Sequence, residues 1–350
     1  RLVEGHERNQ RHVGAHHQAT GHQAGLGTGA DFKARRLRQE GVGKVRFDRY
    51  TSAGLGAILV WSTSVPLARS LSEQVGAVVG AAAVHLLGGF LSFSFFLYRT
   101  RGSLLPLRRL PGRYLLGCGA LFVLYMLALY TAVGLAADRH QALEVGLLNY
   151  LWPALTILFS LLLLGKKSRI TLIPGTLLAL GGVILVLGAG RDFSFVSLAD
   201  NGGRRPAAYA LGLAAAVSWA LYSNLTRRWA EEKSGGGVEV FLLATGGAFL
   251  FLAWSRGESP LWTWRAGGEV LFLGSATALG YLLWDLAMRK GDVVFVAACS
   301  YSTPLLSTLL GCLYLDVAAG PDLWLGCLLI VAGSVLSWAS VSDRAGAGGS

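Results

Sequence analysis

The feature that most constrains this chain is a succession of ten apolar runs, each about as long as a membrane-spanning helix. Such a helix needs roughly 20 mostly apolar residues. We refer to the runs as spans one to ten. They cover about residues 50–70, 73–98, 112–136, 142–164, 170–189, 206–229, 238–255, 268–289, 292–315 and 321–341.

Composition excludes a water-soluble fold. Hydrophobic side chains make up 53% of the 350 residues and charged ones only 15%, whereas an average globular domain has about 25% charged residues. So few charges cannot cover a soluble surface. Backbone groups inside a bilayer must be paired within helices or closed barrels. The sequence therefore predicts an all-α polytopic membrane protein with ten transmembrane helices.

The two ends of the chain differ from the spans. Residues 1–45 contain five of the seven histidines and no apolar run, and we expect a disordered tail rather than a metal site. We also expect this tail to be foreign to the native protein, with translation starting near Val45. Residues 342–350 are rich in glycine and small residues and are expected to form a second disordered tail.

The net charge of +11 could suggest nucleic acid, but the basic residues of the spans' short links act more simply as orientation signals. The links after spans two, four, six and eight carry 13 Lys and Arg residues, and the alternate links carry seven. The positive-inside rule then places both termini in the cytoplasm. We expect the lipid bilayer, and no nucleic acid, as the partner of this surface.

An internal repeat relates spans one to five (residues 46–189) to spans six to ten (residues 190–341). Five spans per copy invert the second copy in the membrane, which is the architecture of alternating-access transporters. A membrane scaffold or sensor, the other class considered, gains nothing from such a repeat. The segments that recur in order are 54–61 with 212–219, 149–153 with 300–304, and 175–182 with 326–333.

Three motifs carry a resemblance to a known family over about residues 50–341: Ala-Leu-Tyr-Thr at 128–131, the prolines Pro153 and Pro304, and the paired glycine segments. They resemble the drug/metabolite transporter superfamily, EamA type. With the Asn-Tyr-Leu-Trp-Pro segment at 149–153, the aromatic-rich interior spans are similar to bacterial aromatic amino acid exporters.

The resemblance implies a central cavity between the repeats, built mainly by spans 1, 3, 4, 6, 8 and 9. It also implies export of aromatic and other neutral amino acids across the bacterial inner membrane. The alternative is a permease of the same superfamily for another small metabolite or a lipophilic drug. Family members often carry a glutamate after span four, where this chain has Gly165, Lys166 and Lys167.

Candidate substrate-binding residues are aromatic and polar side chains well inside the spans, whereas interfacial belts place Trp and Tyr at span ends. Core packing is the competing interpretation. Pro153 and Pro304 remove backbone hydrogen bonds and are predicted hinges. The candidates are Trp61, Tyr125, Asn149, Tyr150, Trp152, Trp219, Tyr222, Tyr281, Trp284, Ser300, Tyr301 and Thr303.

Two ionisable residues inside the spans are candidate proton or ammonium sites, because such groups are costly at membrane depth. Asp285 could serve a substrate, or it could be a structural acid paired with Arg289 four residues later. His85 could titrate, although a lone histidine beside Gly88 and Gly89 is more often packed.

Enzyme motifs are missing from the sequence: it contains no HExxH, Gly-x-Ser-x-Gly or Walker segment. We therefore expect no catalytic residues, no metal and no cofactor. Transport would be driven by the gradient of the substrate, by an exchanged solute or by the proton gradient. The protein is expected to act as a monomer.

Overall fold

The computed structural model describes residues 48–188, 195–230, 236–258, 260–314 and 320–342, and these belong to one compact unit. The predicted tail at 1–45 lies outside the described residues. So does the predicted tail at 342–350, apart from Ser342.

Helices form at all ten predicted spans. The first half contains α1 (Arg49–Val75), α2 (Ala77–Arg99), α3 (Leu105–Arg108), a π-helical turn (Arg113–Cys118) that continues as α4 (Gly119–Leu135), α5 (Arg139–Asn149), α6 (Trp152–Leu163) and α7 (Leu172–Gly188). The second half contains α8 (Phe195–Arg204), α9 (Pro206–Trp229), α10 (Val238–Ser255), α11 (Trp264–Lys290), α12 (Val293–Cys299), α13 (Ser302–Tyr314) and α14 (Pro321–Ala339).

Spans four and nine are each divided into two helices at equivalent places. Span four breaks between α5 and α6, just before Pro153, and span nine breaks between α12 and α13, just before Pro304. The second pair is bent by 41°. Both spans also begin alike, because Asp138 and Asp292 accept hydrogen bonds from backbone N–H groups of the first turn.

Length and apolarity identify five of the described helical segments as able to cross a membrane, one of them running across the break between α5 and α6, and the bent pair in span nine makes a sixth. The five cover 77–99, 113–135, 144–163, 238–255 and 264–290. Two apolar helices, in spans five and ten, are shorter. The equivalent helices α1 and α9 are less apolar because they bury polar residues such as Ser62, Ser223 and Asn224 against other helices.

Helix packing repeats between the halves. The most extensive contacts pair α7 with α14, α2 with α10, α1 with α11, and α4 with α9. When each span is replaced by its equivalent in the other half, the pair of spans five and ten is unchanged, and so is the pair of spans two and seven. The pair of spans one and eight becomes the pair of spans six and three. Gly54 lies against Val296, and its equivalent Gly212 lies against Val145. Val145 precedes Val296 by 151 positions, the same offset that relates segment 149–153 to segment 300–304. The repeat in the sequence is therefore also a repeat of tertiary contacts.

Spans five and ten approach most closely at their glycines. A Cβ atom on Gly182 would lie 2.7 Å from the Gly326 oxygen, and one on Gly333 would lie 2.6 Å from the Gly175 oxygen. These are equivalent contacts, and they explain why both repeats carry the glycine pair. At one end of the same helices, β1 (Lys167–Ser168) pairs antiparallel with β2 (Val341–Ser342), so the link after span four lies beside the segment after span ten.

Candidate functional site

An aromatic cluster lies where the two repeats meet, and its contacts are duplicated. The ring centroids of Trp61 and Tyr281 are 5.3 Å apart, and those of the equivalent pair, Trp219 and Tyr125, are 4.7 Å apart. Trp61 and Trp219 also meet edge to face at 5.8 Å. Trp61 and Trp219 end the aligned segments 54–61 and 212–219, and Tyr125 and Tyr281 occupy similar places in spans three and eight. These four residues are thus brought together by α1, α4, α9 and α11.

Three more of the candidate residues extend this cluster. Trp284 lies 5.2 Å from Trp61 and 5.5 Å from Trp152, and Tyr222 lies 5.0 Å from Trp219, measured between ring centroids. Trp219, Trp284 and Tyr222 are at most 2% exposed. They therefore form the body of the cluster, and they would reach a ligand only if the rings in front of them moved.

An inner cavity lies against the cluster, and an outer cavity adjoins the inner one. The inner cavity has a volume of about 180 Å³ and is lined by Trp61, Tyr125, Tyr281 and His85, together with small and hydroxyl-bearing residues. The outer cavity, of about 490 Å³, is lined by the last turns of α1, α4 and α10. We call the end of the bundle at which these three helices terminate the mouth end. Both cavities share Ala77 and Tyr130 as lining residues.

The candidates beside the helix breaks do not line either cavity. Tyr150 and Tyr301 pack into a separate cluster with residues of α7 and α14. The Ser300 hydroxyl donates to the backbone oxygen of Val296 at 2.8 Å. The backbone oxygen of Thr303 accepts from the Ser62 hydroxyl at 3.4 Å. Asn149 is 9% exposed, and Pro153 is buried. Their roles in binding, and those of Pro153 and Pro304 as hinges, stay predictions.

Asp285 forms an ion pair with Arg289, four residues later on the same helix, as the sequence spacing had suggested. Arg289 donates from Nε to the carboxylate at 2.6 Å, and Tyr114 donates its hydroxyl to it at 3.0 Å. Arg289 Nη2 also donates to the Tyr114 hydroxyl at 2.6 Å and to the Gly236 oxygen at 2.8 Å. Asp285 and Arg289 are 8% and 4% exposed.

This network of Asp285, Arg289, Tyr114 and Gly236 joins the end of α11 to the start of span three and to the segment before α10. It lies at the end of the bundle where α2, α9 and α11 terminate, opposite the mouth end; we call it the basic end. Asp285 lines neither cavity. The structure thus places this acid in a closure between helices.

Sequence reasoning missed some members of both regions. Thr277 lines the inner cavity, and it precedes Tyr281 by one helical turn, so helical spacing could have identified it. Tyr114 and Gly236 gave no such signal. Gly237 next to them has a φ of 116°, and a Cβ atom there would lie 2.7 Å from Tyr114 Cε1; this approach depends on the tertiary fold.

His85 lies deeper on the cavity wall. It is 3% exposed, and its ring centroid lies 6.3 Å from that of Tyr130 and 5.7 Å from that of Phe249. Its Nδ1 atom is 2.8 Å from the Ala81 oxygen. Across the described ranges, no three His, Cys, Asp or Glu side chains are grouped so that they could hold a metal ion.

Comparison with known proteins identifies the family. The model of the EamA-like transporter family matches twice, over residues 50–188 and 206–339. The chain belongs to this family. The EamA-like transporters have a ten-helix membrane fold made of two repeats, and this protein accordingly is an all-α multi-pass membrane transporter and not an enzyme.

Similar EamA-like proteins include the aromatic amino acid exporters YddG of Salmonella typhimurium and Escherichia coli. Each is 38% identical to this chain, over 84% and 82% of it and over 98% and 96% of their own lengths. The aromatic amino acid exporter YddG of Ancylobacter novellus is 34% identical, over 82% of this chain and 96% of its own. A crystal structure also matches, with a TM-score of 0.70 and 31% identity over 82% of this chain and 96% of its own.

Proposed function

We propose that this protein exports aromatic and other neutral amino acids across the bacterial inner membrane. The observation that carries the proposal is the duplicated aromatic cluster, whose members Trp61, Tyr125 and Tyr281 form one wall of the inner cavity. Flat aromatic rings favour an aromatic ligand through stacked and edge-to-face contacts. The named exporters that it resembles match over nearly their whole length, which supports the same cargo.

The size of the inner cavity favours an amino acid over a larger drug. Its volume of about 180 Å³ is below the roughly 300–1,000 Å³ of pockets that hold drug-sized ligands. Its lining combines rings with hydroxyl groups from Ser64, Tyr125 and Thr277, which could hydrogen-bond the polar part of an amino acid. A permease for a lipophilic drug would have less use for these hydroxyls.

Alternating access is the mechanism that this arrangement supports. The mouth end is open to two cavities, whereas the network of Asp285, Arg289, Tyr114 and Gly236 closes the basic end. Two repeats with equivalent contacts can form a second arrangement in which the halves exchange roles. In that arrangement the mouth end closes, the network breaks and the basic end opens. The predicted hinges at Pro153 and Pro304 would bend during this exchange.

The orientation follows from the basic links. With both termini in the cytoplasm, the basic end faces the cytoplasm and the mouth end faces the outside. The conformation described here would then be the one that releases exported substrate. Binding residues deeper in the bundle, including Asn149, Tyr150, Trp152, Trp219 and Tyr222, would contribute as the cluster rearranges, as would Trp284, Ser300, Tyr301 and Thr303. We expect a monomer to be sufficient, since the cavities are formed by one chain.

Counterflow in proteoliposomes tests the proposal. Purified protein is reconstituted into vesicles loaded with unlabelled phenylalanine. Uptake of labelled phenylalanine is then measured with unlabelled phenylalanine, alanine or a non-amino-acid drug added outside as competitor. We expect phenylalanine to compete best, alanine more weakly and the drug not at all. Absence of phenylalanine counterflow from well-folded protein, or competition by the drug alone, would favour the permease for another metabolite or drug.

A further inference from the structure

Among the described residues, two buried polar atoms of the inner-cavity lining have no partner in the fold, Trp61 Nε1 and His85 Nε2. The indole N–H of Trp61 can only donate a hydrogen bond, so His85 Nε2 is the one of the two that can accept. His85 lines this cavity, and its Nε2 atom is shielded from solvent without a hydrogen-bond partner. An unpaired buried acceptor is unfavourable by about 1–3 kcal/mol. Buried polar atoms in folded proteins are rarely left in this state. In the described conformation this atom is shielded from the cavity, so a ligand there would supply the missing partner once the His85 ring turns its Nε2 edge towards it.

The other ring nitrogen decides which kind of partner this is. Nδ1 lies 2.8 Å from the Ala81 oxygen, and a carbonyl oxygen can only accept a hydrogen bond. Nδ1 must therefore carry the proton. In the neutral ring Nε2 is then an acceptor only, so the missing partner is a hydrogen-bond donor.

The described lining of the inner cavity contains no acid that competes with His85; the acid of the outer cavity, Glu258, lies 3.9 Å from Arg256 Nη1. Within the part of the chain that the structure describes, the residues lining the inner cavity include no Asp or Glu. Asp285, the acid that the sequence offered for a substrate ammonium, is occupied by Arg289 and Tyr114 outside this lining. A positively charged donor that enters the cavity would find its strongest acceptor at His85.

The placement of His85 relative to the aromatic wall selects the donor on the substrate. His85 packs with Tyr130 and Phe249, which both line the outer cavity, whereas Trp61, Tyr125 and Tyr281 form the aromatic wall of the inner one. A substrate ring stacked on that wall would point its amino acid head towards the passage between the cavities. We propose that His85 Nε2 accepts a hydrogen bond from the substrate ammonium group, an inference that rests on the proposed function.

The test compares two analogues that each retain one half of the amino acid head. Counterflow of labelled phenylalanine is inhibited with 2-phenylethylamine, which has only the ammonium group, or with 3-phenylpropionate, which has only the carboxylate. In His85→Leu we expect the apparent affinities for phenylalanine and 2-phenylethylamine to fall at least about tenfold, or ~1.4 kcal/mol. The affinity for 3-phenylpropionate should stay unchanged. His85→Gln, which places an acceptor oxygen near the Nε2 position, should lose about threefold or less.

A matched control lies on the same face of α2. Ser92, two helical turns after His85, also has a buried hydroxyl without a partner but lines neither cavity. Ser92→Ala should leave both inhibition constants at their wild-type values. If His85→Leu does not fold, His85→Met provides the same comparison with a more flexible apolar side chain.

Two results would overturn the inference. One is an equal loss of both analogues in His85→Leu, which would make His85 a packing residue. The other is unchanged affinity for 2-phenylethylamine in a well-folded His85→Leu protein. A wild-type protein without phenylalanine counterflow would instead overturn the proposed function itself, and the inference with it.

Discussion

Replacing Asp285 with asparagine should release the basic end of the bundle. In the described conformation Asp285 neutralises Arg289, and both side chains are buried. The variant leaves the guanidinium in the same place without its counter-charge. A conformation in which water reaches Arg289 does not carry this penalty, so the substitution should favour opening at this end.

The magnitude follows from the burial of the pair. Removing one partner of a buried ion pair is unfavourable by about 3–5 kcal/mol. Asparagine retains an oxygen that can accept from Arg289 or Tyr114, and a neutral hydrogen bond recovers about 0.5–1.5 kcal/mol. The net effect is therefore ~2–4 kcal/mol against the closed arrangement. Because 1.4 kcal/mol corresponds to a factor of ten, the open fraction should rise at least about 30-fold relative to the closed one.

Cys118 is a native reporter for this opening. It is fully buried and lies one helical turn after Tyr114. In a background where the other three cysteines are alanine, Asp285→Asn should make Cys118 react faster with an impermeant maleimide. A second reporter, Thr131→Cys, lies in the lining of the outer cavity. It should react more slowly in the same variant, because in the proposed exchange the mouth end closes as the basic end opens.

The reciprocal change separates gating from unfolding, since unfolding would accelerate both reactions. Glu269→Gln is the matched control: Glu269 pairs with Arg265 at 3.0 Å with the same i,i+4 spacing on the same helix, at the mouth end. It should not accelerate labelling of Cys118. Unchanged labelling of Cys118 in a well-folded Asp285→Asn protein would refute the assignment of this network as a closure.

Three further predictions test the orientation and the aromatic wall. In intact cells an impermeant maleimide should label Leu261→Cys, which the proposed orientation puts outside, and not Ser103→Cys, which it puts inside; the reverse pattern would refute the topology. Trp61→Ala should weaken phenylalanine transport about three- to tenfold, since an aromatic contact is worth ~0.5–1.5 kcal/mol, and affect alanine less; an equal loss for both would make Trp61 structural. A Cβ atom on Gly280 would lie 2.7 Å from Trp61 Nε1, so Gly280→Ala should displace this ring and lower phenylalanine transport. Gly181 has open space around it, so Gly181→Ala should leave transport unchanged. Equal transport in the two variants would contradict this prediction.

The helices and their repetition could be predicted from the amino-acid sequence alone. The apolar runs at 206–229 and 238–255 are the helices Pro206–Trp229 and Val238–Ser255. A membrane helix depends on the length and apolarity of one continuous segment, and its backbone groups pair within that segment. The helix breaks before Pro153 and Pro304 were likewise local, because proline removes a hydrogen bond of its own helix.

Which side chains share a site could not be predicted from the sequence, because it depends on how distant segments pack. Spacing offered Arg289 as the partner of Asp285, but the Tyr114 hydroxyl that joins them comes from 171 residues away. Trp61 and Trp284 were both predicted to bind substrate because both lie inside an apolar span. Of the two, Trp61 lines the inner cavity, whereas Trp284 is fully buried. Periodicity describes which face of one helix is apolar. A cavity is the space that several helices leave unfilled, so the residues around it are set by how distant segments pack.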